Sequence, residues 1–396
     1  MWLPEDRSRA ADMVESRGLR ARDARALAHA SLPVARDIAA PEMAVLAARG
    51  ALRAADVPAD RLDALCHAWM YYQGHDLWSP PHYIAHEIGA LRAVPFGIQQ
   101  VCNGGAAAVE LMAAYLSTSQ VSDSGTPGSG RPKWGMVTTA DRFVEPGFDR
   151  WSSDYGVAYG DGSTAVVLRS PAGPGDPLRL LAAATVAAPE LESMHRGADP
   201  FASAPHTFRA KVDMRATKRA YLHRHGDLDF SEVNERAVHA VVDTVLRDAG
   251  VGPDDPRLQY AVLPRFGMKL LTENWIPVLS ARVGAKVENF GQDTGHLGAG
   301  DAVANIADLL KGRFLAPGEM ALVFSAGAGF TWSCLLVQAV GGVSGNDGGP
   351  ARPARRGIRR IPHPGEPGAP SRGGDRVLVH VAGAAAQVRR GADVRA

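Results

Sequence analysis

Apolar residues along this chain follow two alternating rhythms, and the alternation sets the expected fold. Between Pro41 and Ala55 they fall three and four apart behind a leading Pro, the period of an amphipathic helix. Pro80 to Leu91 repeats that period, and Asn103 to Ser117 reads as an Ala-rich helix of small residues. The segments between read as extended: Leu62 to Met70, Ala93 to Val101, Trp134 to Thr139 and Thr164 to Leu168. A tight turn at Tyr159-Gly160-Asp161-Gly162-Ser163 precedes the last of them. Gln120 to Lys133, rich in Ser, Gly and Pro, is expected to be a surface loop.

A second round of similar order follows. Arg179 to Val186 reads as a strand, and Pro189 to Arg219 as polar and irregular. Ser231 to Asp248 is a long helix ending at Gly250, Tyr260 to Leu263 a strand, Met268 to Val283 a helix and Lys286 to Asn289 extended. Ala299 to Leu310 is helical, and Met320–Ser325 with Thr331–Gln338 form antiparallel strands turning at Gly327-Ala328-Gly329. Two such rounds predict an α/β fold made of a duplicated unit around a shared core.

Composition narrows the setting. The 396 residues are 46% hydrophobic, enough for one large or two moderate domains. Three Cys, at 66, 102 and 334, are too few for a disulfide framework and point to the reducing cytoplasm. The start has no basic segment leading into an apolar one, so no signal peptide is expected, and no apolar run is long enough to span a membrane. A formal net charge of +1 gives no argument for nucleic acid. Residues 341–396 differ: ten Arg against four acidic residues, and a third Gly plus Pro, predict a disordered basic tail.

The candidate nucleophile is Cys102, in Val101-Cys102-Asn103-Gly104-Gly105, at the start of a small-residue helix. Unpaired N–H groups and the positive end of the helix dipole favour a thiolate there. A buried structural Cys is the commoner fate of such a residue. Among thirteen His, the clearest candidate base is His296, in the Gly-rich loop Gly291–Asp301, with Asp301 one helical turn on to orient it. Read plainly, the same pattern is a surface His and a first-turn helix acid. Gly327-Ala328-Gly329-Phe330 is a hairpin turn that could also lend a backbone N–H to an oxyanion. His82, His86 and Glu87 do not make a metal motif, and Gly298-Ala299-Gly300 has neither dinucleotide nor P-loop spacing. Cys66 and Cys334 sit in apolar strands and are expected in the core.

Residues 1–340 resemble the ketoacyl-acyl carrier protein synthase III group of the thiolase superfamily. The resemblance rests on Cys102 at its helix start, on Tyr159-Gly160-Asp161-Gly162, on the Gly291–Asp301 loop and on Gly327-Ala328-Gly329-Phe330-Thr331-Trp332. It implies a five-layer αβαβα fold with two pseudo-repeated halves, 1–172 carrying the Cys and 173–340 carrying the His loop, and a homodimer. The family's first strand has no counterpart before Leu3-Pro4; either this sequence omits it or the sheet has lost an edge.

The departures from the family pattern redirect the chemistry. Decarboxylating members carry a His where this chain has Arg265, in Leu263-Pro264-Arg265-Phe266, and an Asn where it has His296. Arg265 stays protonated and cannot be a base. The resemblance then implies acyl transfer without carbon–carbon bond formation. Cys102 takes an acyl group from an acyl carrier protein or coenzyme A thioester, and backbone N–H groups of Cys102 and Ala328 hold the oxyanion. His296, oriented by Asp301, then activates a hydroxyl or amine of a small-molecule natural product. Arg265 and Phe266 are expected to contact substrate, Arg265 by holding an acyl carboxylate or carrier phosphate, and no metal or cofactor beyond the thioester is expected. Residues 188–225, including Met194-His195-Arg196-Gly197, are expected to line the mouth, where their basic balance would suit an acidic carrier or a phosphate and equally a solvated surface. The competing readings are a ketosynthase that selects starter units and a non-catalytic partner subunit.

Overall fold

The computed structural model describes residues 1–118, 131–173, 175–204, 207–225 and 230–341, and the backbone of 378–381. A small ribbon opens the chain: β1 (Arg7–Arg9) pairs antiparallel with β2 (Ser31–Pro33), with α1 (Ala10–Glu15) and α2 (Ala21–Leu27) between. The first round is α3 (Ala40–Ala55), β3 (Ala64–Ala68), α4 (Pro80–Ile88), β4 (Val94–Ile98), α5 (Gly104–Thr118), β5 (Lys133–Asp141) and β6 (Gly162–Ser170). The second is β7 (Leu178–Ala187), α6 (Ser193–Arg196), α7 (Met214–His225), α8 (Phe230–Ala249), β8 (Leu258–Val262), α9 (Met268–Asn274), α10 (Ile276–Arg282), β9 (Lys286–Glu288), α11 (Asp301–Lys311), β10 (Met320–Gly327) and β11 (Thr331–Ala339). A last strand, β12, is Leu378–Val381.

Apart from the ribbon, the strands order as β4-β3-β5-β6-β12-β7-β11-β10-β8-β9. The order is a palindrome by rank. Outward from the centre, the second round runs first, fifth, fourth, second, third. The first round runs β6, β5, β3, β4 in the same sense, with β12 in the place of a first strand. Directions agree: β12 is antiparallel to β6 as β7 is to β11, and β3 and β8 each lie parallel to both neighbours.

Helices sort into layers around these strands. On one outer face α3 packs on β5 and β6; on the other α8 packs on β7 and β11. Between them α5 and α11 touch each other and strands of both rounds. The apolar side chains follow suit, in an outer core under α3, a central core around α5 and α11, and an outer core under α8. This is the expected five-layer fold.

Three expectations need correction. The helix expected over Met268–Val283 breaks at Trp275, because Pro277 at the second residue of α10 has no N–H to continue the ladder. The stretch Pro189–Arg219 holds α6 and the first half of α7. That helix buries only Thr217 and Tyr221, too thin a stripe for periodicity to reveal. The tail, expected to be disordered throughout, supplies β12 from the β-branched run Val377-Leu378-Val379-His380-Val381. The missing strand is therefore not a lost edge: its place is at the centre of the sheet and is filled. The rest of that tail, and most of the loop expected over Gln120–Lys133, lie outside the described residues. Among the described residues no helix is long and apolar enough to cross a membrane, and no cluster of His, Cys, Asp or Glu is placed to hold a metal.

Candidate active site

Cys102 sits in a one-turn 3-10 helix, Val101–Asn103, that leads into α5. Val101 is held at φ 50°, a left-handed conformation costly for a β-branched residue and common at functional turns. Asn103 braces the turn: its Nδ2 donates to Ser333 Oγ on β11 at 2.8 Å. Gly327 lies so close that a Cβ there would meet Asn103 N at 2.6 Å and Cys102 N at 3.2 Å. The Gly-rich turn after β10 is thus seated on the nucleophile's own backbone. Cys102 is buried, with its Sγ 3.8 Å from Met70 Sδ.

His296 reaches the same place from the second round. Gly295, at φ 61°, turns the chain, and the backbone on either side of the ring is clamped: His296 N donates to Ala158 O at 2.8 Å, and Gly160 N donates to His296 O at 2.9 Å. His296 Nδ1 lies 2.7 Å from Asp301 Oδ2. Asp301 also accepts the N–H groups of Leu297 and Arg265, each at 2.9 Å. The ring and the carboxylate are both almost wholly buried.

Burial opposes charge on the imidazole, but the Asp301 carboxylate and then Cys102 outweigh it and hold its pKa well above the usual value. Burial likewise opposes charge on Asp301, and the facing His296 then pulls its pKa below the ordinary range. With Nδ1 engaged by Asp301, Nε2 is buried and has no hydrogen-bond partner among the described residues. That is the nitrogen left for Cys102 and for substrate.

The two loops meet backbone to backbone. A Cβ on Gly105 would lie 2.2 Å from Ala299 O. Asp141, at the end of β5, ties the His296 loop to the segment that follows β3: Oδ1 accepts Met70 and Tyr71 N–H, and Oδ2 accepts Ala299 N–H, all at 2.9 Å. Its place at the carboxyl end of a parallel strand was the signal that could have singled it out.

A cavity of about 230 Å³ opens onto Cys102 and His296 and also contacts Ala328 and Phe266. The Phe266 ring lies 5.4 Å from the His296 ring. Arg265 is elsewhere. Its side chain is wholly buried, with Nε on Asn305 Oδ1 at 3.0 Å, Nη1 on Thr294 Oγ1 at 2.9 Å and Nη2 on Asp308. Every guanidinium nitrogen is committed, so Arg265 does not hold an acyl carboxylate or carrier phosphate. It braces the loop that presents His296. The mouth-lining expectation for 188–225 is met by Met194, His195, Met214 and Lys218. Two of the basic residues in that stretch, Arg196 and Arg209, are paired with Glu192 and Asp199.

No family model matches this sequence. A curated relative, the beta-ketoacyl-[acyl-carrier-protein] synthase III of Desulfotalea psychrophila, is 21% identical over 300 residues, 75% of this chain and 83% of that protein. Among solved structures, the acyltransferase ChlB3 is 30% identical, with a TM-score of 0.74 over 86% of this chain and 96% of that one. The 3-oxoacyl-[acyl-carrier-protein] synthase III of Aquifex aeolicus shares the fold at 20% identity, with a TM-score of 0.64 over 85% of this chain and 97% of its own. The condensing enzyme AbyA1 does so at 19% identity, with a TM-score of 0.61 over the same shares. Sequence motifs, layered fold and these likenesses agree, and the chain belongs to the ketoacyl-acyl carrier protein synthase III-like group of the thiolase superfamily.

Proposed function

We propose that this protein is an acyltransferase that passes an acyl group from a thioester to a hydroxyl or amine without decarboxylative condensation. The observation that carries this reading is the His296–Asp301 pair at 2.7 Å, on the cavity that Cys102 also lines. A His held by a carboxylate is built to move protons at its free Nε2. Where decarboxylating members have their His, this chain has Arg265, buried and committed. The acyltransferase among the structural neighbours supports the same reading.

In this mechanism the Cys102 thiol gives its proton to His296 Nε2, and the thiolate attacks the thioester carbonyl. Backbone N–H groups of Cys102 and Ala328 hold the oxyanion. Collapse breaks the carbon–sulfur bond to the donor, and His296 returns the proton to the departing coenzyme A or carrier thiol. His296 then takes a proton from the acceptor, whose oxygen or nitrogen attacks the acyl carbon and releases Cys102. The sequence needs no metal or cofactor beyond the thioester.

The nucleophile belongs in this proposal to a half spanning 1–172 and the base to one spanning 173–340. A homodimer in the cytoplasm fits the molecule: β4 is an open edge strand beside the exposed side chains of Leu91, Val94 and Leu111, which a second copy would cover.

The test is intact-mass analysis after mixing with a panel of acyl thioesters, malonyl included, and with Cys102→Ala as control. A gain of the whole acyl group, absent from the control and without carbon dioxide release, is expected. Carbon dioxide release with a ketoacyl product would make the protein a ketosynthase. No adduct from any donor would favour a non-catalytic partner.

A further inference from the structure

Besides Cys102 and His296, the polar side chains that line the reaction cavity include Asp154, His195, Lys218 and Asn234. Two of these four are already spent. Asn234 Oδ1 accepts Trp332 Nε1–H at 2.9 Å, and its Nδ2 donates to Asn274 O at 2.6 Å. Asp154 accepts Tyr159 OH at 3.2 Å, Tyr155 N–H at 2.6 Å and Lys218 Nζ. Lys218 gives one hydrogen to that pair and keeps donors to spare.

His195 differs from both. Its Nδ1 is buried and makes no hydrogen bond among the described residues, a costly condition for a polar atom. Burial, helped by the Lys218 charge and opposed by Asp154, pushes its pKa down to about 4, so the ring is neutral at physiological pH. A neutral imidazole donates or accepts, and an ammonium only donates. The ligand group that suits both is an oxygen. A second ammonium would be repelled by Lys218, and a bare hydrocarbon would leave both residues unsatisfied.

Cavity size limits the rest of the ligand. An apolar protein cavity of about 150 Å³ holds a benzene ring. At about 230 Å³ this one holds a compact acyl group, not a long chain.

We propose that His195 and Lys218 form an oxygen-recognition site, and that the donor's acyl group is compact and carries a hydroxyl or keto oxygen remote from its thioester. This inference rests on the acyltransferase reading, which it deepens by naming the class of acyl group.

Binding is measured by calorimetry on Cys102→Ala protein, in which no acyl-enzyme can form. The probes are hexanoyl-coenzyme A and its 3-, 4-, 5- and 6-hydroxy derivatives. One regioisomer is expected to bind roughly tenfold more tightly than the parent, the value of one well-made hydrogen bond. His195→Phe, added to that background, keeps a ring against Phe330 and is expected to bring the ratio near one. Thermal melting confirms that both variants are folded. Equal affinity for all five thioesters, or a preference that survives His195→Phe, would overturn the proposal. Acylation of the wild-type protein by the same panel, run in parallel, reports separately on the acyltransferase reading. A preference confined to transfer onto an acceptor would assign the site to the acceptor and overturn its assignment to the acyl group.

Discussion

The two rounds of the fold place equivalent loops at the same spot and load them differently. In each, a chain leaving the outermost strand, β4 or β9, makes a 3-10 turn and enters a central helix, α5 or α11. The first loop carries Cys102, with no acid in the first turn of α5. The second carries His296 and starts α11 with Asp301. An acid at a helix start satisfies free N–H groups and faces the positive end of the dipole; without one, those groups remain open to a developing anion. One loop therefore accepts negative charge and the other supplies a base. The scaffold is symmetric, and the chemistry comes from breaking the symmetry at a few positions.

The sharpest way to break that arrangement is at the contact between the loops. Gly105→Ala would drive a methyl group into Ala299 O. A backbone oxygen cannot swing aside, so we expect about 3 kcal/mol of destabilisation, the upper range for overpacking. Urea unfolding should show a lower midpoint at unchanged slope, and Cys102 acylation should fall with it.

Asp301→Asn separates the roles within the second loop. Asp301 raises the pKa of His296, and the base must be neutral to take the acceptor's proton. Transfer rate should therefore rise with pH through the pKa of His296. Asp301→Asn should shift that rise to lower pH and lower the plateau about a hundredfold, the low end of the range for one acid–base group. A pH–rate profile of the transfer step checks it; an unmoved midpoint would mean that Asp301 only builds the loop.

The smallest expected effect tests the first strand of each round. β7 fills that place for the second round from its own chain position, whereas β12 fills it for the first from the far end of the chain. Deleting 342–396 removes four residues' worth of pairing to β6 and β7. A fall in Tm of roughly 1–3 °C is expected by calorimetry, the scale of one or two kcal/mol in a chain this size. No change would show that β6 and β7 hold their places without it.

Much of this was legible along the chain. Small residues around Cys102, and Gly on both sides of His296, are local consequences of close packing, so they mark the site in the sequence itself. Arg265 was legible as a departure from the family pattern, but its role was not. Nothing in Leu263-Pro264-Arg265-Phe266 reveals that Thr294, Asn305 and Asp308 consume its donors. His195 was equally opaque, since a buried nitrogen lacking a partner is a property of its surroundings.

Periodicity and local chemistry by themselves determined the two rounds of strand and helix, the turns that present Cys102 and His296, and the carboxylate one turn beyond. Each depends on residues a few positions apart, which share an element and its backbone geometry. Tertiary structure alone decided that the two loops touch, that Arg265 faces the core, that a tail segment stands at the centre of the sheet, and that Asp154, His195, Lys218 and Asn234 line the same cavity. Those are contacts across tens to hundreds of residues, where side-chain direction and competing partners, not local propensity, select the outcome.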